Sequence, residues 1–353
     1  MLFRSPAVTQ LFTDDDHALD GQVHALVNQV GTVSVPNFGL RAVPRLVYTE
    51  ADGDRVVVRL TGPGHGRVTS DADGLELAFN GTTALSTIAV VDKTAGGRAK
   101  LHNVSIDDVV GTVNLTTTNI DGYTTLSGGV QTLNLGNLTG DRILQIGTFL
   151  PTNSTAATIK IGSVTNYSLE SDQPIATLTV ASWRDTGGAD DQLIAPSLGT
   201  LTVIGDMEAN VTIEGRAAIT AFTVGGFFRN ATFLAEKAGL GSVTLGGMDH
   251  ANLFLGTDDR PATLGDFTKT RTLTSFTITG TAAAGKVFID SQVAAAHIGA
   301  ISVLRVDPAS GSGPFGFVAD TIASYVRDGA APLTNLSVPA DTITTGNYLV
   351  KLL

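Results

Sequence analysis

Through the middle of the chain, apolar and polar residues alternate with period two in short bursts, each closed by glycine or asparagine. Leu198-Gly199-Thr200-Leu201-Thr202-Val203-Ile204-Gly205 leads to Asn210-Val211-Thr212-Ile213-Glu214-Gly215. The order returns at Ile219-Thr220-Ala221-Phe222-Thr223-Val224-Gly225-Gly226, followed by Asn230-Ala231-Thr232-Phe233. It returns again at Leu240-Gly241-Ser242-Val243-Thr244-Leu245-Gly246-Gly247, followed by Asn252-Leu253-Phe254-Leu255-Gly256. The anchors 198, 219 and 240 are 21 residues apart. Alternation of this kind is the signature of a half-buried strand, not of a helix with its 3.6-residue period. Gly and Asn tolerate the left-handed backbone of a sharp corner.

One such pair of strands has no means of burying its apolar side, whereas stacked copies make a continuous core and satisfy the backbone groups from copy to copy. The predicted fold is therefore all-β: a single-stranded parallel β-solenoid with coils of about 21 residues and an N-terminal cap. Looser anchors fall near Leu85, Val109, Val130, Ala156, Ile175, Leu273, Ile298 and Leu333, at spacings from 19 to 35 residues. One inward column should contain Leu201, Phe222, Val243, Phe276 and Ile301, and a hydrogen-bonding asparagine ladder should contain Asn210, Asn230 and Asn252. An antiparallel sandwich is the competing architecture; the regular period and the scarcity of two-residue hairpin turns weigh against it.

The rest of the chain divides around these repeats. Residues 1–40 form an N-terminal segment in which Ala18 to Gln29, behind the acidic Asp14-Asp15-Asp16, reads as a short helix. Residues 41–84 read as a β-rich capping region, 85–338 as the solenoid and 339–353 as a C-terminal strand or tail that needs a pairing partner.

Composition narrows the chemistry. Charged residues are 16% of 353, and 40 glycines help to fill the gap, which suits short strands and tight turns. The net charge is −11 with no basic run, which argues against nucleic acid and against an anionic membrane surface as partners. No apolar run reaches bilayer length, so membrane insertion is not expected. The absence of cysteine excludes disulfides, thiolate metal sites and a cysteine nucleophile. The N-terminus has no apolar core typical of a signal peptide.

Tyr48-Thr49-Glu50-Ala51-Asp52-Gly53-Asp54-Arg55-Val56-Val57-Val58-Arg59-Leu60-Thr61-Gly62-Pro63-Gly64 resembles a module of large exported proteins of planctomycete-type bacteria. Gly81-Thr82-Thr83-Ala84-Leu85-Ser86-Thr87-Ile88 and the Leu-Gly-Thr-Leu-Thr-Val coils that follow are similar to the same proteins, over about 48–305. The resemblance implies a secreted or cell-surface location, and carries no activity to individual residues.

Candidate chemistry is sparse. Asp52 and Asp54, and Asp71 and Asp73, stand two residues apart beside glycine, a spacing that lets carboxylates converge on Ca²⁺; solvated turn aspartates are the competing reading. No other cofactor is expected. The six histidines show no metal-ligand spacing, and no nucleophile elbow or phosphate loop is present. Parallel β-helices also suit polysaccharide lyases and glycosidases, and the inserts 184–191 and 256–261, with Asp190 and Asp258, are the candidate rim of such a site. The favoured expectation is a non-catalytic structural or adhesive solenoid, its partners a cell-surface polysaccharide or another copy through the coil ends. Outward Thr202, Thr223 and Thr244 bring ice binding into view, but read as one column and not as a two-wide Thr-x-Thr grid.

Overall fold

The computed structural model describes residues 11–13, 22–26, 33–38, 45–49, 55–70, 74–94, 96–149, 155–280, 285–311 and 313–353. Strands dominate these residues. There is no α-helix among them, and two single-turn 3-10 helices occupy Leu264–Asp266 and Pro339–Asp341. The chain is a parallel β-solenoid of about 11 turns averaging about 23 residues. The 21-residue step holds at the centre, and inserts lengthen the average. Contacts group the chain into two units, Met1–Gln173 and Pro174–Leu353.

In the second unit each coil contributes to three parallel ladders. The first runs through Ile175–Arg184, Leu198–Val203, Ile219–Arg229, Leu240–Asp249, Thr272–Ile278, His297–Val303 and Thr321–Arg327. Its inward column is Leu178, Leu201, Phe222, Val243, Phe276, Ile301 and Tyr325, paired one to one and buried. Five of these are the residues predicted from the repeat. The second ladder is narrow, stepping from Trp183 through Met207, Phe228, Met248 and Phe288 to Val306. The third aligns Leu193, Val211, Phe233, Leu253, Val293, Phe317 and Val350. The three ladders share one core. Phe222, Phe228 and Phe233 come from successive ladders of a single coil, and the Phe222 ring lies 5.4 Å from that of Phe228, edge-on, and 4.9 Å from that of Phe233, stacked. Such contacts add to plain area burial.

The first unit repeats the plan over fewer turns. Ile88, Val113, Leu133 and Ile159 form one buried column; Leu101, Ile120, Leu138 and Val164 a second; Phe79, Ile106, Leu126 and Ile146 a third. Below them lie antiparallel strands. Arg55–Thr61 pairs with both Arg45–Thr49 and Thr87–Asp92, and His65–Ser70 pairs with Leu75–Asn80. Gln173 is fully buried, and its amide donates to the carbonyls of Val130 and Thr155, each at 2.8 Å, while accepting the Val130 N–H at 3.0 Å.

Three expectations need correction. Residues Gln22–Leu26, inside the expected helix, form a strand that pairs antiparallel with Leu11–Thr13 and parallel with Arg45–Thr49; two ladders outweigh a weak helical preference. The anchor at Leu333 begins no coil, because Leu333–Leu336 runs antiparallel to Thr321–Arg327. The true step from Ile298 is Ile322, at the next rung of the first ladder. Asparagine stacking is also differently placed. Asn210 aligns with Gln192 and, one rung on, with Thr232, not Asn230. Asn230 sits on the corner with φ 51°, as does His250 with φ 50°, where a short polar side chain tolerates the left-handed backbone. A true stacked pair occurs in the first unit, where Asn137 Nδ2 donates to Asn119 Oδ1 at 3.0 Å.

The C-terminal run Tyr348–Leu352 pairs parallel with Phe315–Ala319 and antiparallel with Ile343–Thr345.

Candidate functional site

The four proposed calcium ligands, Asp52, Asp54, Asp71 and Asp73, all lie outside the described residues. Among the described residues no group of three or more His, Asp or Glu side chains is placed to hold a metal ion.

The insert at 184–191 is organised by its own carboxylates. Trp183, fully buried, donates Nε1–H to Asp191 Oδ2 at 3.2 Å, and Asp191 is itself only 3% exposed. Asp185 accepts the backbone N–H of Gly187 at 3.0 Å and that of Asp191 at 3.2 Å. Arg184 turns toward Asp206 at 4.0 Å, a carboxylate that Arg229 also approaches at 3.9 Å and that accepts the Phe227 N–H at 2.8 Å. These are the marks of a folded corner whose anions cap backbone donors.

The insert at 256–261 belongs to a longer strap, 256–271. Thr257 and Pro261 are buried. Phe267 and Leu353 pack against Phe254, Ala294 and Val318, which point outward from the third ladder and would otherwise expose an apolar stripe. Lys351 Nζ donates to the Ala262 carbonyl at 2.8 Å, and Arg260 donates to the Pro314 carbonyl. The strap is a cover for a second small core.

The two inserts do not converge. One precedes Gln192–Ala195 and the other follows Asn252–Leu255, three coil steps away in the same ladder. Steps of about 4.8 Å and a strand offset of about 13 Å keep Asp190 and Asp258 on separate edges.

Three of the described histidines, His102, His250 and His297, lie beside carboxylates. His102 Nδ1 lies 2.9 Å from Asp121 Oδ1, whose other oxygen meets Lys100 Nζ at 3.2 Å. Burial opposes ionisation of Asp121, but the hydrogen bonds from His102 and Lys100 and their charges prevail and hold its carboxyl below the ordinary range. His250 touches Asp249 at 2.6 Å and approaches Asp290 at 3.7 Å, and His297 lies 2.8 Å from the Thr321 hydroxyl.

A regular surface feature of the second unit is only half visible in the sequence. Outside the first ladder of the second unit, Thr179, Thr202, Thr223, Thr244, Thr277 and Ser302 form one column, as the repeat implies. A parallel column two residues earlier holds Thr177, Thr200, Ala221, Ser242, Ser275 and Ala300. The single-column expectation is thus corrected to a grid two residues wide. The missed signal was the Thr-x-Thr of Thr177 and Thr179 and of Thr200 and Thr202, diluted to Ala or Ser in the copies that follow.

Compared with protein-family models, with curated proteins and with solved structures, the chain finds no match in any of the three.

Proposed function

We propose that the chain is a non-catalytic structural or adhesive solenoid module of a secreted or cell-surface bacterial protein. One observation supports this most directly: in the second unit the first ladder keeps one-to-one register from Ile175 to Arg327, so its outer side is a repeated array and not a cleft. An array suits many weak, identical contacts with an extended partner, for which affinity accumulates by multivalency. In the 184–191 insert Asp185 accepts the backbone N–H groups of Gly187 and Asp191, and Asp191 accepts the Trp183 indole N–H, which is the role of corner residues. A cell-surface polysaccharide is the partner this reading favours. Association through coil ends is the other route, by way of the exposed edge strand Leu333–Leu336.

The test is co-sedimentation of the whole chain with a panel of insoluble polysaccharides, run beside an assay for newly released reducing or unsaturated ends and a light-scattering concentration series. Retention or concentration-dependent assembly without release is the expected result. Polysaccharide cleavage that Asp190→Ala or Asp258→Ala abolishes would sink it.

A further inference from the structure

We propose that the first-ladder face of the second unit binds ice, its two hydroxyl-bearing columns acting as a template for ordered water. The inference rests on the non-catalytic reading above and adds ice as a second partner for that array, beside the polysaccharide.

Six successive rungs present the pairs Thr/Thr, Thr/Thr, Ala/Thr, Ser/Thr, Ser/Thr and Ala/Ser, in unbroken register. None of these ten hydroxyls bonds to another protein atom among the described residues, so each is left to solvent. The backbone N–H and C=O groups beneath them are consumed sideways by the ladder, leaving side chains as the only outward donors and acceptors. Threonine has a stiff χ1, and stacking between rungs restricts it further, so little order has to be imposed on binding. The strands Ile175–Val180, Leu198–Val203, Ile219–Val224, Leu240–Leu245, Leu273–Ile278 and Ile298–Val303 contain no ionisable residue, so no charge disrupts the water layer.

Spacing supplies the independent argument. Rungs are about 4.8 Å apart, and residues i and i+2 about 6.6 Å apart along a strand. A tetrahedral lattice of oxygens about 2.8 Å apart repeats at about 4.5 Å within its layers and about 7.4 Å across them. Both repeats of the face fall within about a tenth of the lattice values. The misfit along the stack is about 0.3 Å per rung, accumulating to a third of one repeat over the six rungs.

Other occupants fit less well. Protein interfaces centre on aromatic residues and arginine and are depleted in serine and alanine. Nucleic acids and anionic membranes require cations that this face does not have.

The experiment measures thermal hysteresis and inhibition of ice recrystallisation with the whole chain, using an unrelated soluble protein as control. Hysteresis that rises with concentration is expected. The double variant Thr223→Tyr/Thr244→Tyr should lose at least fivefold of it, while Thr212→Tyr, on the outer side of the third ladder, keeps it. Far-ultraviolet circular dichroism and melting check folding, and Ser242→Lys replaces the tyrosine pair if that pair fails to fold. A wild-type chain with neither activity overturns the proposal, as does full activity in a folded face variant. Polysaccharide retention without ice activity would remove the ice assignment and leave the adhesive role. Polysaccharide turnover would remove that role whatever the ice result.

Discussion

Asn210 accepts, through Oδ1, the backbone N–H of Thr232 one coil on, at 2.8 Å. Asn252 Nδ2 continues the line to the Thr232 hydroxyl at 3.4 Å. The column therefore runs Asn, Thr, Asn, and stitches the corner where each third-ladder strand begins. Asn210→Ala removes the acceptor from a half-buried N–H and should cost about 1 kcal/mol. Asn230→Gly should be neutral, because its left-handed backbone and not a ladder bond selects asparagine there, whereas Asn230→Val should cost about 1–2 kcal/mol. Urea denaturation of the three variants checks the ordering; equal losses for Asn210→Ala and Asn230→Gly would contradict the ladder.

That pair also explains what could be read from the chain and what could not. The inward column was legible because a buried position rejects polar residues at every coil, so Leu201, Phe222 and Val243 advertise themselves. Asparagine has two separate physical uses in a coil, ladder bonding and the left-handed corner, and sequence spacing does not separate them. The coil from Ile219 takes 13 residues to reach the third ladder at Thr232, where its neighbours take 12, and that one residue moves Asn230 onto the corner. The rung at Ile322 was hidden for another reason: Ile322-Ala323-Ser324-Tyr325-Val326-Arg327 lacks the glycine of the motif and puts tyrosine at the inward position. Asp190 is exposed as a rim residue would be, but its neighbour Asp191 is buried against Trp183, a contact the pattern does not carry. The two-column hydroxyl face was half legible: its threonines were evident, but pairing them into two columns required the register.

Gly241 marks a steric contact between coils. A Cβ there would stand 2.3 Å from the Thr220 carbonyl oxygen, and the same clash recurs at Gly199 with Ala176 and at Gly299 with Thr274. Backbone on both sides leaves nothing that swings aside. Gly241→Ala should destabilise by about 1–3 kcal/mol through forced separation of the rungs. Gly265→Ala is the control: its Cβ would meet nothing closer than 3.6 Å, and it should be neutral or slightly stabilising. Thermal melting distinguishes the two, and an undisturbed Tm for Gly241→Ala would refute the close approach.

The strap provides a test of the second small core. Phe267 is its main apolar anchor on Phe254, Ala294 and Val318. Phe267→Asp should detach the strap without unfolding the coils, because the ladders beneath are paired independently of it. Limited proteolysis should then cut within 257–271 at least tenfold faster, and binding of a hydrophobic dye should rise as the apolar stripe is uncovered. Unchanged cleavage would mean that the strap is held by Lys351 and Arg260 instead.

Tyr167 predicts the alkaline behaviour of the first unit. Its hydroxyl donates to the Gly122 carbonyl at 2.5 Å, with Thr124 Oγ1 at 3.3 Å, and its side chain is buried. Burial pushes its pKa up to about 12, with the Thr124 contact pulling weakly the other way. An unfolded tyrosine ionises near 10. The native form thus holds its proton where the unfolded form has lost it, so the stability is whole below pH 10 and falls as pH rises from there toward 12. Each pH unit in that window removes about 1.4 kcal/mol for this group. Tyr167→Phe should lower stability at pH 8 by about 1–2 kcal/mol, since the Gly122 carbonyl loses its donor. It should also flatten the slope between pH 10 and 12. Urea titrations at several pH values, with phenolate absorbance followed in parallel, check both. A slope unaltered by Tyr167→Phe would assign the alkaline transition to Tyr325 and Tyr348, whose burial also raises them.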